Sequence, residues 1–583
     1  MSAPIRNAEA LGALEGAYRD VLGELVRSQA VARLFRKDAT LWKQDPVHQK
    51  LILSRLGWLD SPAWLQGVGP DLRGFSAEIR GEGFTWVLLL GMGGSSLAPE
   101  VLGQVMRSAP GAPTLDILDS TDPAAVKSAE TAHRLDRTFF LVSSKSGRTI
   151  ETLSQYRYFR ARLEELGVTD PGRRFAAVTD PGSPLTRIAR EDGFRRVFLN
   201  PADIGGRFSA LSYFGMAPAA LLGLDLAALA ARAAEARKEC MVEDPAGNRA
   251  LRLGAFLGAA ARAGRDKLTL LTTPSLRPIG YWVEQLLAES TGKEGRGIVP
   301  VEGEPLGFAR YYGPDRSYVS IVDPSEPHED LDRLLGELRD GGDPWFGIEI
   351  RDRADLAAEF YRWETATAIA CAALGVDPFD EPNVLESKEN TMTILAGYEK
   401  TGEWPIGECR ARDQGVEIYA AKDLWQMLAA GAPSHPSLEM ILGRFFALKR
   451  PGDYLALLAY VERTAATEAA FRQMRLGLRD ALKIPVLQGY GPRFLHSIGQ
   501  LHKGGPSTGI YLELTVADGE DIRIPESRVS FGELKMAQAL GDLAALDSRA
   551  KPTLRLHMTG GVESGLRTVA HATERALVAL AQG

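Results

Sequence analysis

Short apolar runs that alternate with helical stretches constrain the fold of this chain more than any other feature. Residues 85–90, 138–142 and 174–179 are such runs, and stretches of helical character separate them. Runs of this kind are typical of strands that helices cover on both faces, as in a parallel sheet. The alternation therefore predicts an α/β fold built on doubly wound parallel sheets.

The alternation restarts further along the chain, so we expect more than one domain in these 583 residues. The loop-rich stretch 402–415 is the best internal boundary. The predicted regions are a helical N-terminal segment at 1–75, a first αβα sandwich at 76–225, a second αβα sandwich at 226–400 and an extra C-terminal α/β region at 401–583.

Composition excludes several classes of function. The net charge is -7, with acids and bases interspersed and no basic stripe, so we expect no nucleic-acid partner. No apolar run is long enough to cross a bilayer, and acidic residues interrupt any signal peptide at the start. Cys240, Cys371 and Cys409 are too far apart in sequence for a disulfide framework or a zinc motif. We therefore expect a cytoplasmic protein.

The sequence Gly-Met-Gly-Gly-Ser-Ser at residues 91–96 follows the first apolar run and opens a helix. Glycines let the backbone approach a ligand closely, and free N–H groups at a helix start attract anions. Gly93, Gly94 and Ser95 are therefore candidate ligand contacts. A dinucleotide fingerprint would need Gly or Ala where Ser96 stands, and a plain tight turn remains an alternative.

Hydroxyl and cationic side chains gather after the second apolar run. They are Ser144, Lys145, Ser146 and Thr149. A helix cap needs one hydroxyl, whereas a phosphate dianion needs several donors and positive charge. Ligands of open parallel sheets lie beyond the carboxyl ends of the strands, where this loop and the glycine loop both fall. The two loops together predict a phosphate site.

Four later segments carry a resemblance to a known family. They are Gly-Gly-Arg-Phe-Ser at 205–209, the glutamate-rich element at 284–295, the segment 379–388 that ends in a lysine, and Leu-His-Ser-Ile-Gly-Gln at 495–500. With the two loops, they resemble the phosphoglucose isomerase family over roughly residues 80 to 560. Residues 489–496 and 500–506 are most similar to the isomerase part of bifunctional transaldolase/phosphoglucose isomerase proteins.

The resemblance implies interconversion of glucose 6-phosphate and fructose 6-phosphate through an enediolate, with no metal and no redox cofactor. It implies that Glu289 transfers the proton, that Arg207 faces the enediolate, and that Lys388 and His496 open the ring and relay a proton. It also places Gly206, with the two glycines of the first loop, in the substrate-binding loop. Glu284, earlier on the same predicted helix as Glu289, is expected to be structural.

Two departures from the family pattern have consequences. The family order puts the histidine between the glutamate and the lysine and takes it from the neighbouring subunit of a homodimer, whereas His496 comes last here. We therefore predict that His496 reaches Glu289 and Lys388 across a common cleft, in its own chain or a partner's. Arg148 stands where the family usually has threonine, and His502 is a candidate second contact. The resemblance also leaves open whether this chain works with a transaldolase domain or partner.

Other readings remain at this stage. One is isomerisation of another hexose phosphate, such as mannose 6-phosphate, since a fold does not fix the substrate. Another is a non-catalytic sugar-phosphate-sensing protein, which needs the phosphate loop but no base. A nicotinamide-dependent oxidoreductase is disfavoured because the fingerprint is incomplete.

Overall fold

The computed structural model describes residues 9–582, except for the side chain of Leu385. Residues 1–8 of the predicted N-terminal segment lie outside the described residues. The strands are β1 (Glu9–Ala10), β2 (Trp86–Gly91), β3 (Thr114–Leu118), β4 (Thr138–Ser143), β5 (Phe175–Thr179), β6 (Arg196–Leu199), β7 (Lys267–Thr272), β8 (Val299–Val301), β9 (Arg316–Val322), β10 (Trp345–Glu349), β11 (Ala411–Asp413), β12 (Val416–Ala420), β13 (Tyr454–Tyr460), β14 (Val486–Tyr490), β15 (Gly509–Val516) and β16 (Thr553–Met558).

The α-helices cover the faces of the sheets. They are α1 (Glu15–Arg27), α2 (Ala30–Phe35), α3 (Pro46–Leu53), α4 (Ser61–Gly81), α5 (Leu97–Met106), α6 (Pro123–Ala132), α7 (Ile150–Glu165), α8 (Pro184–Glu191), α9 (Tyr213–Leu221), α10 (Leu226–Cys240), α11 (Arg249–Arg262), α12 (Ile279–Thr291), α13 (Glu329–Gly341), α14 (Asp355–Leu374), α15 (Pro382–Thr401), α16 (Lys422–Ala429), α17 (Leu438–Phe446), α18 (Ala465–Leu482), α19 (Gly499–Gly504), α20 (Phe531–Asp547) and α21 (Val562–Gln582).

The first sheet has the strand order β3-β2-β4-β5-β6 and is parallel throughout. Its central strand β4 is buried along its whole length, as expected for a strand with helices on both sides of its sheet. The chain forms β3 on one side of β2 and then crosses to form β4 on the other side. The order of strands therefore reverses at β2, which is where ligands of such sheets bind.

The second sheet repeats this topology with the order β1-β10-β9-β7-β8. Strand β8 lies on one side of β7 and β9 on the other, and all three are parallel. The predicted α/β fold with parallel-sheet domains is thus confirmed. One detail of the helical N-terminal segment is wrong, because β1 pairs antiparallel with β10 and satisfies backbone groups at its open edge. The predicted boundary after residue 75 falls inside α4.

The third sheet belongs to the C-terminal region and has the order β11-β12-β16-β15-β13-β14. Strands β13 to β16 are parallel, and β11 and β12 form an antiparallel edge. Its alternate residues face two different cores, since Leu512 packs with α-helices of this region while Tyr511 faces the rest of the molecule. The sheet is therefore docked onto the first two by one of its faces.

Packing joins the three sheets around one cleft. Helices α11 and α14 cross closely in the largest core, where Ile369 contacts the helix backbone at Gly254. Phe531 and Leu534 of α20 enter the apolar cluster that contains Phe140 of β4. Lys535 of the same helix donates a 2.8 Å bond to Asp122. The C-terminal region is thus fixed beside the carboxyl end of the first sheet.

Candidate active site

The glycine loop after β2 is packed against two other segments. Gly93 has φ +54°, and a Cβ atom there would lie 2.5 Å from the carbonyl oxygen of His496. A Cβ atom at Gly94 would lie 2.2 Å from the carbonyl oxygen of Gly206. Both positions therefore require glycine, because any side chain would push backbone away. The loop predicted to bind ligand is where the first sheet, the Gly206 turn and the C-terminal region meet.

The second predicted loop lies beside the first, since Gly91 of β2 is paired with Ser143 of β4. Ser144 Oγ and Thr149 Oγ1 are 2.9 Å apart, and the backbone N–H of Gly147 donates to Ser144 Oγ at 3.1 Å. Helix α7 starts directly after Thr149. Its free N–H groups and these hydroxyls face the end of the sheet where an anion would bind.

The other members of the predicted phosphate set differ in exposure. Ser95 and Ser144 are buried, whereas Ser146 is exposed and accepts a 3.3 Å bond from the backbone N–H of Arg148. The sequence prediction grouped them as equal contacts, and the structure places Ser146 at the outer edge of the loop.

The charge of Lys145 is already paired. Its ammonium forms an ion pair with Asp180 and donates to the carbonyl of Ala202 at 3.2 Å. Arg148, by contrast, is exposed, and in the described part of the chain its guanidinium has no hydrogen-bond or ion-pair partner. The unpaired cation of this loop is thus the residue that departs from the family pattern.

Glu289 lies buried in the last turn of α12, beside Arg207. Arg207 Nη1 donates to Glu289 Oε2 at 3.2 Å, and Gln285 Nε2 donates to the same oxygen at 3.3 Å. Burial raises the pKa of the Glu289 carboxyl, although the neighbouring arginine acts against this shift. A buried carboxylate with a raised pKa and a cation in contact suits proton transfer near neutral pH.

Arg207 is held by backbone as well as by carboxylates. It donates to the carbonyls of Pro378 and Asp380 at 2.8 Å each, to Ser290 Oγ at 3.0 Å and to Glu381 Oε2 at 3.1 Å. Burial acts to lower the pKa of this guanidinium, but the carboxylates around it raise the pKa overall. The side chain is a fixed, permanent charge at the floor of the cleft.

His496 ends a short 3₁₀ turn that follows β14. Its Nε2 lies 2.8 Å from Glu151 Oε1, and Gln538 Nε2 donates to that same oxygen at 2.8 Å. Burial acts to raise the pKa of Glu151, but His496 and the hydrogen bonds hold this pKa below its usual value. An ionised carboxylate therefore holds the imidazole in a fixed orientation.

Gln285 connects the histidine to the glutamate. Its Nε2 donates to the carbonyl oxygen of His496 at 2.8 Å and to Glu289 Oε2 at 3.3 Å. His496 therefore reaches the cleft of Glu289 within one chain. Lys388 is exposed on α15, and its charge contributes to the lowered pKa of Glu151. Among the described residues, Lys388 donates no hydrogen bond to Glu289, so the predicted approach of these two side chains is not seen as a contact.

Several site residues were missed by sequence reasoning. They are Glu151 and Gln285, which contact His496, Glu381, which contacts Arg207, and Gln538, which contacts Glu151. Glu151 falls two residues after Thr149, and Gln285 and Glu381 lie inside the segments 284–295 and 379–388, so their places in these segments were the available signals. Gln538 has no local signature.

The expectation for His502 was wrong. The side chain is 1% exposed, and its ring lies 5.1 Å from that of Tyr511 between centroids. Burial lowers the pKa of this imidazole well below its usual value. His502 is a neutral core residue of the C-terminal region, because α19 turns it inward while His496 on the preceding turn faces the cleft.

Metal clusters and membrane-spanning helices are both absent from the described residues. Within residues 9–582, no cluster of His, Cys, Asp or Glu has the arrangement of a metal site. In the same range, no helix has the length and apolar character needed to cross a membrane.

Comparison with known proteins places this geometry in context. The family model described as phosphoglucose isomerase matches residues 74–298. The chain is 30% identical to a probable glucose-6-phosphate isomerase of Haloarcula marismortui over 56% of its own length and 81% of that relative. It is 28% identical to the glucose-6-phosphate isomerase of Clostridioides difficile over 62% of its own length and 92% of that relative.

A solved structure shares the fold. The glucose-6-phosphate isomerase of Chlamydia trachomatis superposes with a TM-score of 0.51 at 19% identity, covering 67% of this chain and 86% of that one. At this level of identity, the similarity shows a shared fold and nothing further. It agrees with the paired parallel sheets described above.

Proposed function

This chain belongs to the phosphoglucose isomerase family, and from that premise we propose that it interconverts glucose 6-phosphate and fructose 6-phosphate. The observation that carries the proposal is the buried pair of Glu289 and Arg207 facing a serine-rich loop at a helix start. Such a cleft offers a base, a fixed cation and an anion site together. An aldose–ketose isomerase needs all three.

Glu289 is the proposed base that moves a proton between C1 and C2. One carboxylate can serve both carbons, because they are adjacent and the proton returns from the same face. Its contacts with Arg207 and Gln285 leave Oε1 without a protein donor among the described residues. That oxygen is our candidate for the proton carrier.

Arg207 is the proposed stabiliser of the enediolate. Negative charge develops on the carbonyl oxygen as the proton leaves, and a preorganised cation lowers that barrier without having to reorient. The two backbone carbonyls that accept from Arg207 keep it in place throughout the reaction.

His496 and Lys388 are the proposed ring-opening and proton-relay groups. Glu151 stabilises the charge that His496 takes up when it accepts a proton, as a carboxylate does for any catalytic imidazole. The Glu151–Gln538 bond ties this support to α20. Lys388 adds positive charge beside the same carboxylate.

Ser95, Ser144, Lys145, Ser146 and Thr149 are the proposed phosphate contacts, with Gly93, Gly94 and Gly206 forming the loop against the sugar. Binding energy from a remote phosphate helps to align the reacting carbons. Because Lys145 is paired with Asp180, we assign to Arg148 much of the charge that the dianion requires.

Surroundings and partners complete the proposal. The chain acts in the cytoplasm, in keeping with free thiols at Cys240, Cys371 and Cys409. Since His496 reaches the cleft from within the chain, a homodimer is not needed to complete the site. The native mass of the protein tests for a homodimer, and the native mass in the presence of a transaldolase tests for that partner.

The test is conversion of fructose 6-phosphate, coupled to glucose-6-phosphate dehydrogenase and followed by the appearance of NADPH. We expect turnover with fructose 6-phosphate in buffer that contains a chelator. A parallel reaction with mannose 6-phosphate, assayed for fructose 6-phosphate release, tests the alternative substrate. Turnover with mannose 6-phosphate alone would overturn the proposed specificity, and binding of either sugar phosphate without turnover would indicate a sensor.

A further inference from the structure

A groove separate from the candidate active site lies between the second sheet and the C-terminal region. It has a volume of about 580 Å³, enough for a phosphorylated metabolite. Its walls come from the ends of β7 and β8 on one side and from the first turns of α18 on the other. The side chains that matter below are Arg277, Arg472, Arg475, Glu304 and Glu468.

The position of the groove matches that of the phosphate loops in the first sheet. The chain forms β8 on one side of β7 and then β9 on the other, as it does with β3, β2 and β4. Ligands of open parallel sheets bind where the strand order reverses in this way. Thr272 at the end of β7 and Gly303 after β8 both line the groove.

Three arginines bring positive charge that carboxylates do not cancel directly. Arg475 is buried and donates only to carbonyls, those of Val486 at 2.9 Å, Gly303 at 3.0 Å and Glu302 at 2.6 Å. Arg277 and Arg472 are exposed, and across residues 9–582 neither guanidinium makes a hydrogen bond or an ion pair. These two guanidinium groups are free to bind an oxyanion, and the buried Arg475 adds positive charge beside them.

The acids that line the groove are already engaged. Each contacts an arginine, Glu304 with Arg316, Glu468 with Arg463 and Asp330 with Arg333, while Arg463 also pairs with Glu100 and Arg333 with Glu337. Glu302 lines a smaller cavity of about 50 Å³ that adjoins the groove. Among the described residues, Arg277 and Arg472 are therefore groove cations that no carboxylate contacts within ion-pair distance, and two such cations suit a dianion.

We propose that this groove is a second anion site that binds a phosphomonoester dianion through Arg277, Arg472 and Arg475. The smaller cavity connects it to the catalytic turn, because Glu302 and Glu284 both line that cavity. Glu284 accepts a 2.9 Å bond from Ser497 Oγ, and Ser497 follows His496. A bound dianion would repel the Glu302 carboxylate and would therefore shift the surroundings of the histidine turn, so the ligand is an effector.

The test counts bound phosphate by equilibrium dialysis of the full chain with labelled inorganic phosphate. We expect two per wild-type chain, one in the candidate active site and one in the groove. Arg277→Gln with Arg472→Gln should weaken one of the two at least tenfold and leave turnover of fructose 6-phosphate within about twofold. Ser144→Ala with Thr149→Ala should weaken the other. Arg19→Gln with Arg187→Gln, at exposed arginines elsewhere, is the matched control.

The result for the groove does not depend on the proposed isomerase activity, because the number of bound phosphates is measured without turnover. Two phosphates that fall to one in R277Q/R472Q, with an unchanged melting temperature, would support the groove. A single phosphate in wild type, or two that persist in R277Q/R472Q, would overturn it. Binding lost equally in the control pair would reduce the effect to general charge.

Discussion

Two buried carboxylates of the cleft are shifted in opposite directions. Burial raises the pKa of Glu289, while His496 and hydrogen bonds keep the pKa of Glu151 low. One group is thus suited to take and return a proton, and the other stays ionised to hold the imidazole. A pair of carboxylates whose environments separate their pKa values is a common basis for dividing acid–base roles.

Replacing Glu289 by Gln should remove the proton carrier while keeping the shape of the side chain. We expect kcat to fall by about 10²- to 10⁴-fold, the usual contribution of one general base. The readout is the coupled NADPH assay at saturating fructose 6-phosphate. Glu284→Gln on the same helix is the control and should keep most of the activity. Full activity in Glu289→Gln would remove the residue from the mechanism.

Glu284 offers a stability test with a defined sign. Burial raises the pKa of its carboxyl to about 7 from 4.5, so the folded chain holds the proton more tightly than the unfolded chain. This stabilisation is complete below pH 4.5 and is lost as the pH rises to 7, on the order of 3 kcal/mol. Urea unfolding measured at pH 5 and at pH 7.5 gives the free energy of unfolding at each pH. This free energy should fall more between the two pH values for wild type than for Glu284→Gln. An equal fall in both proteins would contradict the raised pKa of Glu284.

Arg148 should bind the substrate phosphate rather than take part in the chemistry. Changing Arg148→Thr removes the unpaired cation of the loop, so we expect KM for fructose 6-phosphate to rise about tenfold with kcat nearly unchanged. The rise should shrink at high salt, because screening weakens the wild-type contact. An unchanged KM would return the role to Lys145.

At the level of elements, the site depends on how closely turns approach one another. The glycine loop after β2 contacts the Gly206 turn and the His496 turn through backbone atoms, which cannot move aside as a flexible side chain can. Small displacements of these turns would misplace Arg207 and His496 together. The positions of these side chains therefore depend strongly on the close backbone contacts between the turns.

Gly94→Ala should expose this dependence. Its Cβ atom would lie 2.2 Å from the carbonyl oxygen of Gly206, so one of the two turns must shift. Misplacement of about 1 Å can cost up to 10²-fold in rate, and we expect a loss of that order in kcat/KM. Gly67→Ala in α4 is the control, since no atom lies within 4 Å of its Cβ position. It should leave the rate unchanged and raise stability slightly.

Elements were easier to predict than contacts. Strands β2, β4 and β5 were predicted within about one residue, because their apolar runs decide them locally. Strands β8 and β14 were missed, since they are short and their pairing depends on neighbours far along the chain. Arg207 and Glu289 could be assigned from motifs, whereas the contact of Glu151 with His496 joins residues 345 positions apart and has no pattern in sequence.

At the level of the whole molecule, three sheets contribute to one cleft. The first carries the proposed phosphate loops, the second contributes Glu289 through α12, and the C-terminal region brings His496. The three parts are joined by apolar packing and by the buried contact of Lys535 with Asp122. All these groups come from one chain.

Mixing two inactive variants tests this arrangement. If each chain holds a complete site, Glu289→Gln mixed with His496→Asn should show only the sum of the two residual activities. If the histidine came from a partner, mixed pairs would regain up to about a quarter of wild-type activity, since one intact site would form in half of them. Each variant should be denatured and refolded with the other, so that chains can exchange.

The chain order of these contributions has a consequence for biosynthesis. The phosphate loops are complete once the ribosome has made the first sheet, but His496 emerges only near the end of translation. If the proposed phosphate contacts hold, a growing chain would carry its anion site before it carries its proton relay. Catalysis would then begin only when the C-terminal region docks onto the first two sheets.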